Sequence, residues 1–389
     1  MSGKLIVLGA DGYLGFPTSI FFSKLGWKVT AVDNLSKRLI EGQTGITPLI
    51  DLPSFQKRFR TWNKLNSQNP IEEYVIDIAK NNKQLFELIN HIKPDTVIHF
   101  AEQPSAPYSM KGREEAMFTQ INNISGTLNL IFAIQKYCPN CHIVKLGTMG
   151  EYGTPNIDIE EGWLEVNHNN RSDRVLFPKK PGSLYHLSKV HDSNNLEYTC
   201  RTWGLRVTDL NQGIVYGSHT ELTKIEGLHT SFHYDSIFGT AINRFILQGL
   251  VNKPLTIYGA GHQERAYLNI NDVLQCLKIA LENPAKAGEF KVRNQFTGFK
   301  SINGLAKIVK ESLDELNINT KLENIENPRV EEEKHYYNPN NKSFIDLGLK
   351  PIKISKEVII DIAKYLLPHI NNFDSELLMP NINWNMNKK

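Results

Sequence analysis

The chain reads as an α/β protein: a Rossmann-type, doubly wound parallel sheet with a smaller C-terminal substrate-binding part. Three observations predict this. A short apolar run, Lys4-Leu5-Ile6-Val7-Leu8, leads into Gly9-Ala10-Asp11-Gly12-Tyr13-Leu14-Gly15 and then a helical pattern from about Phe16 to Leu25. Further strand-like runs alternate with helical patterns, as right-handed crossovers in a parallel sheet require. Beyond about residue 215 the order is less regular, which divides the chain into 1–215, for a dinucleotide, and 216–389, mainly for substrate. Some segments of the second part are expected to return to the sheet.

Composition narrows the classes. At 389 residues, 40% hydrophobic and 22% charged, the chain can bury a sizeable core. A net charge of +3 is too small to argue for nucleic acid or a membrane surface. No apolar run reaches the roughly 18 residues of a spanning helix, and Met-Ser-Gly-Lys leads straight into a strand, so a cytoplasmic protein is expected. Cys138-Pro139-Asn140-Cys141 has CxxC spacing without a second pair, and reads as a plain loop before a strand rather than a redox or metal site.

In chain order, Lys4 to Leu8 suits a strand buried on both faces. The glycines let the backbone turn and approach a pyrophosphate, whose charge the following helix N-terminus favours. The second strand, Lys28 to Val32, ends at Asp33, whose carboxylate can accept ribose hydroxyls and repel a 2′-phosphate. NAD is therefore expected over NADP. From Asn34 to about Pro70 runs a basic insertion with Lys37, Arg38, Lys57, Arg58, Arg60, Trp62 and Lys64, read as a surface helix over the adenosine end rather than a nucleic-acid face. Val75 to Ile78 reads as a third strand, with Asp77 near adenine. Asp95 to Ala101 is a fourth, in which His99 is a satisfied core histidine, and His142 to Leu146 is a fifth. Helical patterns at Arg113–Tyr137 and Gly182 to about Trp203 flank the fifth.

The chemistry centres on Tyr185-His186-Leu187-Ser188-Lys189. Residues four apart share a helix face, and an ammonium beside a phenol favours phenolate and lowers its pKa. Tyr185 could then take a proton from a sugar hydroxyl as hydride leaves. Thr148, 37 residues earlier and just past the fifth strand, completes a Thr/Tyr/Lys set by hydrogen-bonding the same substrate oxygen.

At these residues the chain resembles the extended short-chain dehydrogenase/reductase superfamily and, within it, the UDP-sulfoquinovose synthase family, over almost its whole length. The resemblance is carried by Glu102-Gln103, by Ser105 to Met110, by Lys145 to Gly162, by Tyr185 to Ser193 and by Thr208 to Gly213. It implies conversion of UDP-glucose and sulfite to UDP-sulfoquinovose through a 4-keto-5,6-ene with recycling of tightly held NAD, and a formal class among the hydrolases. It implies a cofactor set of Gly9, Asp11, Gly12, Tyr13, Leu14, Gly15, Asp33, Asn34, Leu35, Ser36, Arg38, Asp77, Ile78, Phe100, Ala101, Gln103, Asn122, Tyr185, Lys189, Gln212 and Val215. The related 4,6-dehydratases carry Asp and Glu as acid and base where this chain has Met149 and Gly150. An enzyme adding sulfite at carbon 6 does not want a proton delivered there. For proton movement, His186 is the first candidate and Glu151 the second. Pro104 departs from the arginine of plant-type members, which puts sulfite handling in a different light here.

The same resemblance implies a substrate set of Glu102, Gln103, Thr148, Met149, Tyr185, Asn211, Arg244, Thr256, Gln263, Arg265 and Arg329. The last heads Arg329-Val330-Glu331-Glu332, and guanidinium suits a diphosphate by charge and planar donors. Thr220 to Asp235, with His219, His229 and His233 nearby or within it, reads as a mobile loop without metal. The tail from Asn371 reads as a surface extension. A homodimer through the helices at 113–137 and 182–203 is expected, and sulfite arrives free or from a delivering protein. An epimerase or dehydratase remains the alternative; a non-catalytic NAD sensor fits the intact Thr148, Tyr185 and Lys189 less well.

Overall fold

In the computed structural model, which describes residues 2–330, 335–380, 382 and 384, the chain begins with β1 (Lys4–Leu8), α1 (Gly15–Lys24) and β2 (Lys28–Asp33). Then come α2 (Ser36–Thr44), α3 (Phe55–Leu65), β3 (Glu72–Val75), α4 (Asn82–Ile92), β4 (Thr96–His99), the single turn α5 (Ala106–Ser109) and α6 (Arg113–Tyr137). After β5 (His142–Thr148) and a 3-10 turn, Met149–Glu151, a hairpin of β6 (Trp163–His168) and β7 (Arg171–Leu176) precedes α7 (Leu184–Trp203). The chain continues through β8 (Arg206–Gln212), β9 (Ile214–Tyr216), α8 (Ala241–Leu250), β10 (Leu255–Tyr258), β11 (Glu264–Asn269), α9 (Ile270–Glu282) and β12 (Phe290–Gln295). It closes with β13 (Gly298–Ser301), α10 (Ile302–Asp314), β14 (Leu322–Ile325), α11 (Lys342–Asp346) and α12 (Lys356–Leu366).

Seven strands form one parallel sheet in the order β12-β8-β5-β4-β1-β2-β3, as the alternating pattern predicts. Strand order reverses between β1 and β4, so the carboxyl ends there open a crevice for a ligand. One face packs under Phe16, Ile20, Phe59 and Leu277; the other packs under Leu85, Ile89, Leu130, Ile134 and Leu196. A third core, around Phe245, Ile246, Leu255, Leu305 and Ile362, joins α8, α10 and α12. β12, from late in the chain, returns to the sheet beside β8. No helix among the described residues is long and apolar enough to cross a membrane.

Several elements differ from the sequence reading. The third strand lies three residues earlier, at Glu72–Val75, because Asp77 Oδ1 accepts from the Ala79 and Lys80 N–H groups and turns the chain there. As an edge strand it tolerates its glutamates. The basic insertion is two helices, not one surface helix. In α3, Phe55, Arg58, Phe59 and Trp62 repeat at helical spacing and are buried, while Lys57, Arg60 and Lys64 face solvent. Arg58, fully buried, donates to the Asp11 carboxylate and to the His229 carbonyl, with its guanidinium 3.6 Å from the Phe16 ring centroid.

The histidine-bearing segment is built into the fold rather than hanging over it. His229 is buried with Nδ1 at 2.7 Å from the Tyr365 hydroxyl, and His233 is buried against Asp235. The tail is not a plain surface extension either. Leu378 and Ile382 are buried, the latter beside Ile40, Ile46 and Ile237; residues 381, 383 and 385–389 lie outside the described residues, as do Glu331 and Glu332. His99 is the satisfied core histidine expected: Nδ1 accepts from the Ala101 N–H and Nε2 meets Thr127 Oγ1 at 3.2 Å. All four cysteines are free, and no metal-binding cluster occurs among the described residues.

Candidate active site

A cavity of about 950 Å³ opens at the carboxyl ends of the strands. Its floor is the glycine loop. Gly9 has φ +81°, and a Cβ on it would lie 2.6 Å from the Phe100 carbonyl carbon; a Cβ on Gly15 would lie 1.9 Å from the Gly9 oxygen. Only glycine allows this close stacking of loop, strand and helix. Asp33, at the end of β2, accepts from the Asp11 N–H at 2.8 Å and the Leu35 N–H at 2.7 Å. Burial, then the Asp11 charge, pushes its pKa up to about 6. Asp11 itself is paired with Arg58 at 2.9 Å and with Arg38, so it fastens the loop to α2 and α3.

Of the predicted cofactor set, Tyr13, Leu14, Asn34, Leu35, Ser36, Arg38, Ile78, Phe100, Ala101, Asn122, Gln212 and Val215 all line the cavity with the glycines. Asp77, Gln103 and Lys189 do not. Asp77 is a turn cap, and the buried Gln103 amide donates to Thr119 Oγ1 and the Ser105 carbonyl.

Above the floor stand the reacting groups. Ser183 caps α7, accepting from the His186 N–H, and so starts the helix that aims Tyr185. Tyr185 lines the cavity with Thr148 and Met149, and the Lys189 ammonium sits behind it, 5.6 Å from the ring centroid. Lys189 pulls the Tyr185 pKa down, as the spacing predicts, but burial pushes harder and the net shift is upward. A phenol set deep in a cavity resists ionising, which one ammonium only partly offsets.

His186 faces the cavity with Nδ1 at 3.1 Å from Ser183 Oγ. Burial, and then the charges of Arg329, Arg265 and Lys189, hold its pKa down to about 3, so the ring is neutral. It occupies space that Gly150 leaves open: a Cβ there would lie 2.4 Å from His186 Nε2. Glu151, the second candidate for proton movement, is turned away. It is fully buried, ion-paired with Lys179, and accepts from Ser193 Oγ and the Thr148 N–H, capping the turn after β5.

At the far end, Arg244, Gln263, Arg265 and Arg329 line the wall. The Arg244 guanidinium lies 4.1 Å from the Tyr258 ring centroid and donates to the Thr256 carbonyl. Thr256 and Asn211, expected at the substrate, are buried behind the wall: Thr256 Oγ1 accepts from Gln248, and Asn211 Nδ2 donates to the Tyr152 hydroxyl. Sequence reasoning missed Trp384, whose ring lies 5.2 Å from the Arg329 guanidinium, and the Lys37, Glu41, His233 and Asp235 group on the opposite wall. Basic residue and tail carried no local signal for either placement.

Residues 5–294 match the model of the NAD dependent epimerase/dehydratase family. This chain belongs to that family. Among curated relatives, the chloroplastic UDP-sulfoquinovose synthase of Spinacia oleracea is 47% identical over 98% of this chain and 79% of that protein. The UDP-sulfoquinovose synthase of Sulfolobus acidocaldarius is 40% identical over 98% of this chain and 97% of that one. The solved Thermotoga maritima UDP-glucose 4-epimerase with UDP-glucose superposes with a TM-score of 0.68 at 20% identity, covering 93% of this chain and 98% of that one. Likeness at that identity shows the fold alone. The cofactor is NAD, as throughout the family, and the residues fit it: the glycine floor admits a pyrophosphate where any Cβ would intrude, and Asp33 stands at the strand end where ribose hydroxyls are read.

Proposed function

We propose that this chain is a UDP-sulfoquinovose synthase, which converts UDP-glucose and bisulfite to UDP-sulfoquinovose and water. The observation that carries the reading is identity of 47% and 40% over nearly the whole chain to two relatives of that name. Residues 1–215 hold the cofactor and 216–389 mainly the nucleotide-sugar. The change forms a carbon–sulfur bond, so the hydrolase class describes its reverse.

The glycine loop and Asp33 would hold NAD, which would supply an acceptor for the hydride of sugar C4 and a donor to restore it. Tyr185 takes the 4-hydroxyl proton, with Lys189 behind it and Thr148 on the same oxygen. The resulting ketone acidifies C5–H. His186, neutral by virtue of its setting, can receive that proton and pass it to the departing 6-hydroxyl, leaving a C5–C6 double bond. Bisulfite adds through sulfur at C6, and the proton it brings, carried by His186, goes to C5; the C5 proton removed earlier has left with the 6-hydroxyl as water. Arg265 and Arg329, beside His186, suit the diphosphate and the incoming anion, and offset the Pro104 that lines the cavity where plant-type members have arginine. Arg244 orients through the Tyr258 face.

A homodimer through α6 and α7 is supported by exposed Met117, Ile121 and Phe132 on one helix and Tyr198 and Trp203 on the other. Lone apolar residues on a monomer's surface are ordinary, but this many on one helix pair are what a partner covers. Four free cysteines suit a reducing, cytoplasm-like compartment.

The test is incubation with UDP-glucose, with and without free sulfite, and mass measurement of the product. A sulfonated nucleotide-sugar formed only with sulfite is expected. A sulfite-independent 4-keto-6-deoxy sugar or UDP-galactose would replace this reading with a dehydratase or an epimerase. Turnover that appears only when a cell extract accompanies the sulfite would point to a delivering protein.

A further inference from the structure

Directly behind Tyr185 four ionisable side chains are shut away from water. Glu102 follows β4, Lys145 lies on β5, and Lys189 and Asp192 are on α7; each side chain is no more than 2% exposed. Glu102 is ion-paired with both lysines, one through each carboxylate oxygen. Lys145 Nζ also lies 3.1 Å from Asp192 Oδ2. Both ammoniums donate to one acceptor, the Leu146 carbonyl, Lys145 at 3.1 Å and Lys189 at 2.5 Å. Two like charges therefore meet at a single oxygen, and Glu102 is the anion set between them.

We propose that Glu102 is a positioning residue which, balanced against Lys145, keeps Lys189 protonated and aimed at Tyr185. The inference rests on the reading of Tyr185 as the group that takes the sugar proton. Its physical basis is charge balance in a dry site. Two ammoniums and two carboxylates sum to zero, whereas three of the four leave an uncompensated buried charge, which the protein sheds by losing or gaining a proton. Without Glu102, Lys145 keeps Asp192 as its paired anion whereas Lys189 loses the carboxylate it is paired with, so Lys189 is the ammonium that gives up its proton. The repulsion between the two is felt even with Glu102 in place, since burial, and then the Lys189 charge, bring the Lys145 pKa down to about 8.

Among the described residues the surroundings offer no substitute anion at the Leu146 carbonyl. On α7 the neighbours are Tyr185, neutral His186 and Asp192. β4 adds His99, kept neutral by burial and by the two lysines. The turn after β5 adds Glu151, committed to Lys179, and β8 adds Asp209, which accepts from Ser193 Oγ and is pushed up to about 6 by burial and the Glu151 charge.

The experiment compares kcat against pH for wild-type protein, Glu102→Gln, Glu102→Gln/Lys145→Met and Tyr185→Phe, with bound NAD measured in each. Glu102→Gln is expected to keep its NAD but to move the acid limb of kcat upward by about one pH unit, a roughly tenfold loss at pH 7 that alkali recovers. Adding Lys145→Met removes the unbalanced cation and returns the limb toward the wild-type position. A uniform loss across pH in Glu102→Gln, or a double variant whose limb stays displaced, overturns the proposal. Should Glu102→Gln not fold, the limb of the double variant alone decides. Tyr185→Phe separates the two claims. If it turns over, the proton-acceptor reading falls and this inference with it; if it is inactive and the Glu102→Gln limb does not move, this inference alone falls.

Discussion

Gly150→Ala tests how the site moves protons. The backbone at Gly150 does not have a positive φ, so alanine meets no conformational penalty and the only change is a methyl group. Its Cβ would lie 2.4 Å from His186 Nε2, 2.5 Å from Cδ2 and 2.8 Å from Cε1, whereas ordinary contact begins at 3.4 Å. The imidazole must therefore retreat by 3.4 − 2.4 = 1.0 Å. It has little freedom to turn in place, because Nδ1 is tied to Ser183 Oγ and the Tyr185 ring stands 5.2 Å away. A misplacement of that size costs on the order of 10²-fold in rate, or about 2.7 kcal/mol of transition-state stabilisation. The loss should fall on kcat for sulfonated product. Reduction of bound NAD on adding UDP-glucose alone, followed by absorbance, should survive, because Tyr185, Lys189 and Thr148 are untouched. If product formation stays within twofold of wild type, His186 is not the proton carrier. If the NAD reduction step is lost instead, the separation of roles between Tyr185 and His186 is wrong.

Gly15→Ala should do damage of another kind: its Cβ would meet backbone, 1.9 Å from the Gly9 oxygen, which cannot swing aside. Purified protein should carry little NAD and be less stable by about 3 kcal/mol, the upper range for overpacking; a protein that retains full NAD would refute the close-stacked floor. Trp384→Ala, which removes the ring from beside the Arg329 guanidinium, should raise the KM for UDP-glucose several-fold with kcat little changed; an unaltered KM would detach the tail from substrate binding. Stability should fall on acidification. His142 and His186 are each held near pKa 3, below the ordinary 6.5, so the unfolded chain binds their protons first as pH drops. Their contribution is fully present above about pH 6.5 and is lost toward pH 3, on the order of 2 kcal/mol each by pH 5. Chemical denaturation of His142→Asn between pH 7 and 5 should show a shallower slope than wild type; equal slopes would remove His142 from the account.

What the amino-acid sequence determined by itself are the features written in short-range spacing. β1, the glycine loop and α1 are one continuous stretch whose backbone needs are local, so Gly9 and Gly15 could be placed with no knowledge of the rest. Tyr185 and Lys189 share a face because of helical geometry alone. The parallel sheet follows from alternation, since each crossover forces the next strand to run the same way. The tertiary structure decided the partners of each charge. Arg58 reads as a solvated base in sequence, yet the helical phase of Phe55, Phe59 and Trp62 carries it into the core onto Asp11. Glu151 stood second to His186 as a carrier of protons until Lys179, 28 residues on, claimed it. Glu102 and Lys145, 43 residues apart, meet only because β4 and β5 are neighbours in the sheet. Spacing reports which side chains share a face. Whether a buried charge is a reagent, an anchor or a counter-ion depends on which distant elements close around it, because the cost of burying it is set by the groups it meets there.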